Sequence, residues 1–334
     1  MTDDQDLHGL LDAGIQTYMG TPHIEPSENE LSEVPADVGV LGIPFDSTSL
    51  SRTGSNQGPK TIRDMSCQTH PYHFEYDLSI TEAYDIVDFG DVSVLPGNAE
   101  RTIDQGMEVL GRLFKHAIAP VVLGGDHSIS IAPMQAYAEA VDNGGLVVFD
   151  THLDTATSIA GEEYNHACPV ARIVEDTDIP PEQVCLIGIS GTGNPSFERE
   201  YAEDEGINVF PLDEVIQRGP VAVAEDAVDI LETRGVEPYV SIDIDVLDVG
   251  FAPGTGVPSP AGMTTRELLQ ALGVVASNGF AGLDVVEVSP AWDKNGVTAV
   301  TACRLIADAL AARASGEANG VGTKTRALRT GPRS

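Results

Sequence analysis

Positive charge is what this sequence has least of. Eighteen lysines and arginines stand against 52 aspartates and glutamates in 334 residues, for a net charge of -34. Nucleic acids and anionic membranes both need a basic face that such a balance does not supply, so neither is expected as a partner. Lysine is scarcest, present only as Lys60, Lys115, Lys294 and Lys324. An acidic, lysine-poor surface around ordinary apolar content fits adaptation to high salt, where a short screening length restrains self-repulsion. A halophilic protein is the expectation.

Cysteine is sparse too. Cys67, Cys168, Cys185 and Cys303 lie far apart with no Cys-x-x-Cys spacing, so neither a disulfide framework nor a thiolate zinc site is suggested. No run of about 18 apolar residues occurs, and the start MTDDQDLHGL lacks the basic and apolar stretches of a signal peptide. A soluble protein of the reducing cytoplasm is expected. The length is enough to bury a substantial core.

What the chain does have is an alternation. Short apolar, β-branched runs recur at 38–43, 84–88, 120–123, 145–149, 184–188, 207–210, 239–244 and 282–287, with helical periodicity at 102–116, 129–141, 221–234 and 265–278. Eight strands alternating with helices give a mainly parallel sheet covered on both faces, because a parallel pair needs a crossover. A closed eight-stranded barrel satisfies the same count. Residues 1–36, acidic and interrupted by Pro22, Pro26 and Pro35, read as a lead-in packed on a single domain at 37–313. The Gly-rich, locally basic stretch 314–334 reads as a flexible tail.

Chemistry concentrates at strand ends. The run Leu146 to Phe149 stops abruptly in Asp150, His152 and Asp154, charges that are costly wherever a core continues. Mixed carboxylate and imidazole donors suit Mn, Zn, Fe or Ni better than Ca or Mg. Two further segments, LGGDHS (123–128) and SIDIDVLD (241–248), add His127 and the pair Asp243 and Asp245, two apart on a strand and so facing one way. Six donors, four of them carboxylates, are too many for one zinc and suit two adjacent metals. A two-metal hydrolase follows.

In this order, GGDHS, the Asp-x-His-x-Asp of DTHLD and SIDIDVLD resemble the ureohydrolases, the family of arginase, agmatinase and relatives. The resemblance runs over about 13–312 and includes GIPFDSTSLSRTGSNQGPKTIR (42–63), FAPGTGVPSP (251–260) and DVVEVSPAWD (284–293). It implies a three-layer α/β/α sandwich on an eight-stranded parallel sheet. It also implies two Mn2+ per chain, with Ni, Co, Zn or Fe as substitutes, and a homo-oligomer, trimer or hexamer. One metal would be held by His127, Asp150, Asp154 and Asp243, the other by Asp150, His152, Asp243 and Asp245. Asp154, Glu287 and His166 are the residues given catalytic parts: Glu287 would bind the guanidinium and His166 would move a proton to the leaving amine.

The reaction so implied converts a small cationic guanidino compound to urea and an amine, first of all agmatine to putrescine. Glu162 and Glu163 would then meet the distal ammonium. Guanidinobutyrate, guanidinopropionate and guanidine are the alternative substrates, followed by formimidoylglutamate, with an inactive metal-binding oligomer as the reading of another class. Four positions depart from the family pattern: Gly20 where arginine is frequent, Thr151 for Ala or Ser, Val249 for Pro, Ala or Gln, and Trp292 for tyrosine.

Overall fold

A computed structural model describes residues 15–142, 144–232, 235 and 237–319. Ten strands follow one another among the described residues: β1 (Val38–Gly42), β2 (Tyr72–His73), β3 (Leu78–Ser79), β4 (Ile86–Asp91), β5 (Ala119–Leu123), β6 (Leu146–Phe149), β7 (Val184–Ile189), β8 (Asn208–Pro211), β9 (Tyr239–Asp243) and β10 (Gly282–Val286). β2 and β3 form a small antiparallel hairpin, and the other eight make one open sheet in the order β4-β1-β5-β10-β9-β6-β7-β8. All its pairings are parallel. The sheet has two free edges, at β4 and β8, so the barrel is excluded.

β1, β5, β6, β7, β9 and β10 are buried at every position, and this is why they read as unbroken apolar runs rather than as alternation. Successive side chains still divide by period two. Val121, Leu123, Val147 and Phe149 pack with the helices Pro220–Glu232, Thr265–Ser277 and Val297–Ala318. Val122, Leu146 and Val148 point the other way, to Ala99–Lys115, Ile131–Ala140 and Pro169–Asp176. Two cores on the two faces of one sheet make the α/β/α sandwich.

The last helix runs on to Ala318, past Ala314 where the tail was expected to begin, because Ala311, Ala312 and Ala314 remain buried in the core it shares with Thr265–Ser277. The remainder of that tail, and residues 1–14 of the lead-in, lie outside the described residues. The described lead-in is tied to the sheet edge: the Tyr18 N–H donates to Asp88 at 2.8 Å, and His23 bridges to Asp88. No helix among the described residues is long and apolar enough to cross a membrane.

The strands that carry the motifs, β5, β10, β9 and β6, are four consecutive neighbours in the middle of the sheet. Residues leaving their carboxyl ends must therefore converge, in the crevice where open parallel sheets place ligand groups.

Candidate metal centre

After β5 the chain turns sharply through Gly124 and Gly125. A Cβ on Gly125 would stand 1.7 Å from the Phe45 carbonyl oxygen, so only glycine passes there. The Asp126 N–H then donates to that same carbonyl at 2.8 Å. Asp126 is fully buried and spends its carboxylate on scaffolding. One oxygen accepts from Ser128, the other from the N–H and hydroxyl of Thr48. Burial and the charge of Glu287 push it up to about 6.

His127, thus presented, places Nδ1 2.9 Å from Asp154 Oδ2, 3.1 Å from Asp150 Oδ2 and 3.3 Å from Asp243 Oδ2. Its other nitrogen, Nε2, lies 3.2 Å from Ser241 Oγ, whose hydroxyl donates to Asp284 Oδ1 at 2.6 Å. With the serine proton committed to Asp284, Ser241 can only accept from Nε2–H, which leaves the Nδ1 lone pair facing three carboxylates. Nδ1 has no hydrogen bond of acceptable geometry, and neither do Asp150 Oδ2 and Asp245 Oδ1, all three buried. Buried, bare and of mixed carboxylate and imidazole chemistry, this donor set fits a metal ion.

A second group adjoins the first. His152 Nδ1 lies 3.3 Å from Asp245 Oδ2 and 3.5 Å from Asp150 Oδ1, so Asp150 turns one oxygen to each histidine. The residues that could hold a metal ion accordingly form two groups sharing Asp150: His127, Asp150 and Asp154, and Asp150, His152 and Asp245. Asp243 faces only the first histidine, its other oxygen accepting the Asp245 N–H at 2.8 Å. The electrostatics state the same demand. Burial, with Asp245 and Asp150 beside it, drives Asp243 far above the usual carboxylate range, and Asp245 is pushed up to about 7, chiefly by burial. Burial works against protonation of His127, yet the carboxylates of Asp150, Asp154 and Asp243 around Nδ1 raise it well above an ordinary imidazole. Without metal, protons must supply the positive charge.

Glu287 and His166 stand beside this cluster. Glu287 is 3% exposed; its Oε1 accepts the His127 backbone N–H at 3.0 Å and lies 3.2 Å from His166 Nδ1. Its Oε2 is buried with no hydrogen-bond partner. The Leu50 N–H donates to His166 Nε2 at 3.2 Å, which fixes the proton of the neutral ring on Nδ1, toward Glu287. Burial opposes a charge on His166, but Glu287 prevails and raises it. The eight residues given metal-binding or catalytic parts come together here. Glu162 and Glu163 do not: both are exposed, and Glu163 lies 3.8 Å from Arg172, a cation that the sequence could not place opposite it.

Several supporting residues escaped the sequence reading. Asp284 and Ser241 are direct partners in the β10–β9 register, and an aspartate inside the apolar run GLDVVE was the available signal, since it must be satisfied where it is buried. Glu198, buried behind Asp154 and pushed up to about 7 by burial and that neighbour, left no such signal; its carbonyl accepts the Thr155 hydroxyl at 2.9 Å. The departures find places as well. Thr151 bonds Ser190 and Ser259 through its hydroxyl, and Val249 donates to the Ser259 carbonyl, which proline cannot do. Trp292 donates its indole N–H to the Thr53 carbonyl and carries the Arg52 guanidinium 4.7 Å over its ring. Gly20, in the left-handed region at φ 70°, has no role the structure explains.

An open parallel sheet whose central strand ends gather four carboxylates and two imidazoles around two cation positions defines a metal-dependent hydrolase. The chain belongs to the Arginase family, whose model matches residues 36–312, and it is an amidinohydrolase. It is 35% identical over 299 residues to proclavaminate amidinohydrolase of Streptomyces clavuligerus, covering 89% of this chain and 93% of that one. Identity to guanidinopropionase of Pseudomonas aeruginosa is 31%, over 89% and 91% of the two chains, and to agmatinase of Bacillus anthracis 32%, over 82% and 91%. The solved structure of the first relative superposes with a TM-score of 0.82 over 91% of this chain and 98% of that one.

Proposed function

We propose that the protein hydrolyses a linear guanidino compound to urea and an amine at a centre of two metal ions. The observation that carries the reading is the position of Asp150, one oxygen toward His127 and one toward His152, beside a Glu287 oxygen with no partner. In this reading His127, Asp150, Asp154 and Asp243 hold one ion and Asp150, His152, Asp243 and Asp245 the other. When bound there, two dications, Mn2+ foremost, would lower the pKa of water and so provide the nucleophile that a poor electrophile such as the guanidinium carbon requires. Everything else falls to the chain. Glu287 takes the guanidinium by charge-assisted hydrogen bonds and so sets its carbon against the metal cluster. His166, protonated beside Glu287, gives its Nδ1 proton to the departing nitrogen and is left a neutral imidazole.

Agmatine is the proposed substrate, drawn in as a dication by the field of a chain with a net charge of -34. One observation favours a guanidino acid instead: Arg52 lies over Trp292 with no carboxylate in ion-pair contact among the described residues, a cation suited to a distal carboxylate. A urea-release assay on the Mn2+-loaded protein with agmatine, arginine, 4-guanidinobutyrate, 3-guanidinopropionate and guanidine tests both. Urea from agmatine at the highest kcat/KM supports the first reading, and preference for either acid replaces it with the second. No urea from any of the five would refute amidinohydrolysis of these compounds.

A further inference from the structure

Glu287 uses only half of its carboxylate on the protein. Oε1 is engaged by the His127 N–H and by His166, while Oε2 is buried and bare. An unpaired charged oxygen in the interior is costly, and what leaves it uncovered is a neighbour without a side chain. A Cβ on Gly256 would stand 2.9 Å from Glu287 Oε2 and 3.1 Å from the carbonyl oxygen of Arg52. Two acceptors of different kinds, a carboxylate oxygen and a peptide carbonyl, therefore flank the same small space in front of the Gly256 Cα. No hydrogen bond to the Arg52 carbonyl is found among the described residues. The backbone of Gly256 is not in the left-handed region, so its conformation does not demand glycine. The space does.

A planar cation with N–H donors in a fixed fork matches two acceptors set side by side, and a compact ammonium matches them less well. We propose that Gly256 is a specificity-determining residue: its missing side chain opens a cleft in which Glu287 Oε2 and the Arg52 carbonyl each take an N–H of the substrate guanidinium. This deepens the amidinohydrolase reading and rests on it. The role is one of space, and it uses the main chain of Arg52, so it is independent of whatever the Arg52 side chain does at the rim.

The test is Gly256→Ala, compared with the unaltered protein after Mn2+ loading, on the guanidino compound that gives most urea. The methyl group fills the cleft, so KM should rise roughly tenfold or more, and inhibition by guanidinium chloride should weaken in parallel. Metal stoichiometry and melting temperature should stay where they were. Because a poorly folded variant would mimic the effect, Glu287→Asp and the double variant complete a cycle. Shortening the carboxylate makes room for the methyl, so Gly256→Ala should cost much less in the Glu287→Asp background than alone. An unchanged KM overturns the proposal, and so does a rise that is equal in both backgrounds or that comes with loss of a metal ion. If the unaltered protein releases no urea, the amidinohydrolase reading fails first; if it is active while Gly256→Ala binds as before, only the cleft is refuted.

Discussion

Asp154 and Glu287 share a backbone conformation that residues with side chains avoid, with φ of 50° at the first and 60° at the second. Each is held there by its surroundings: the Asp154 carbonyl accepts the Val170 N–H at 3.1 Å, and the Glu287 N–H donates to the Gly125 carbonyl at 2.8 Å. Left-handed backbone costs about 1–2 kcal/mol at a non-glycine residue and persists where the rest of the structure over-determines it. In both cases the strained residue aims a carboxylate at the cluster.

The strain can be measured at Asp154. Asp154→Gly and Asp154→Ala both delete the carboxylate, so they differ only in what the backbone tolerates. In metal-free protein the glycine variant should be the more stable by about 1 kcal/mol, the reverse of their order at an ordinary position. Urea denaturation of the two variants decides it, and an alanine variant as stable as the glycine one would show that the position is not strained.

Asp150 and Asp245 should not fail alike. Asp150 faces both histidines and Asp245 only His152. Asp150→Asn should therefore weaken binding of both ions, while Asp245→Asn should leave one tight Mn2+ per chain and weaken the other by at least about tenfold. Calorimetric titration of metal-free protein with Mn2+ reads the two stoichiometries. Two tight ions in the Asp150→Asn variant would rule out a shared carboxylate. The family resemblance assigns Asp243 the same bridging place; its Oδ2 faces His127 and its Oδ1 accepts the Asp245 N–H, as Asp150 Oδ1 accepts the His152 N–H.

The sheet was legible because its strands are buried on both faces and bounded by turns, so Val38–Gly42 or Tyr239–Asp243 stand out as apolar blocks. Their spatial order was not legible, since any permutation of eight buried strands gives the same pattern. Donor identity at His127, Asp150 and Asp243 came from charges placed where apolar runs stop. What stayed hidden depends on contacts distant in sequence. The amide of Leu50, which sets the His166 tautomer across 116 positions, is a backbone group that no residue type announces. The Gly256 cleft likewise exists only once 52, 256 and 287 are brought together.

Salt should stabilise this protein. With 52 acidic against 18 basic residues, self-repulsion opposes compactness in dilute buffer, and at 1 M salt the screening length falls to about 3 Å. The melting temperature and activity should both rise between dilute buffer and molar KCl. A melting temperature that ignores KCl would argue that the acidic surface is not an adaptation to salt.

Glu287 and His166 touch each other, yet they should fail in different ways. Glu287 meets the guanidinium before and during reaction, so Glu287→Gln removes charge from both states and should raise KM and lower kcat together. His166 acts only as the amine leaves. Its Nε2 is closed by the Leu50 amide and its Nδ1 opens on Glu287, so His166→Asn keeps a polar group in place but cannot relay a proton near neutral pH. That variant should lose roughly 10²–10⁴-fold in kcat with KM little changed and two metal ions retained. Among the described residues the ring's one ion-pair contact is with Glu287, not with the aspartates around His127 and His152. If His166→Asn gave up a metal ion, the residue would be a ligand after all. If both variants raised KM to the same degree and left kcat alone, the imidazole would be a binding group, and the proton would have to come from elsewhere.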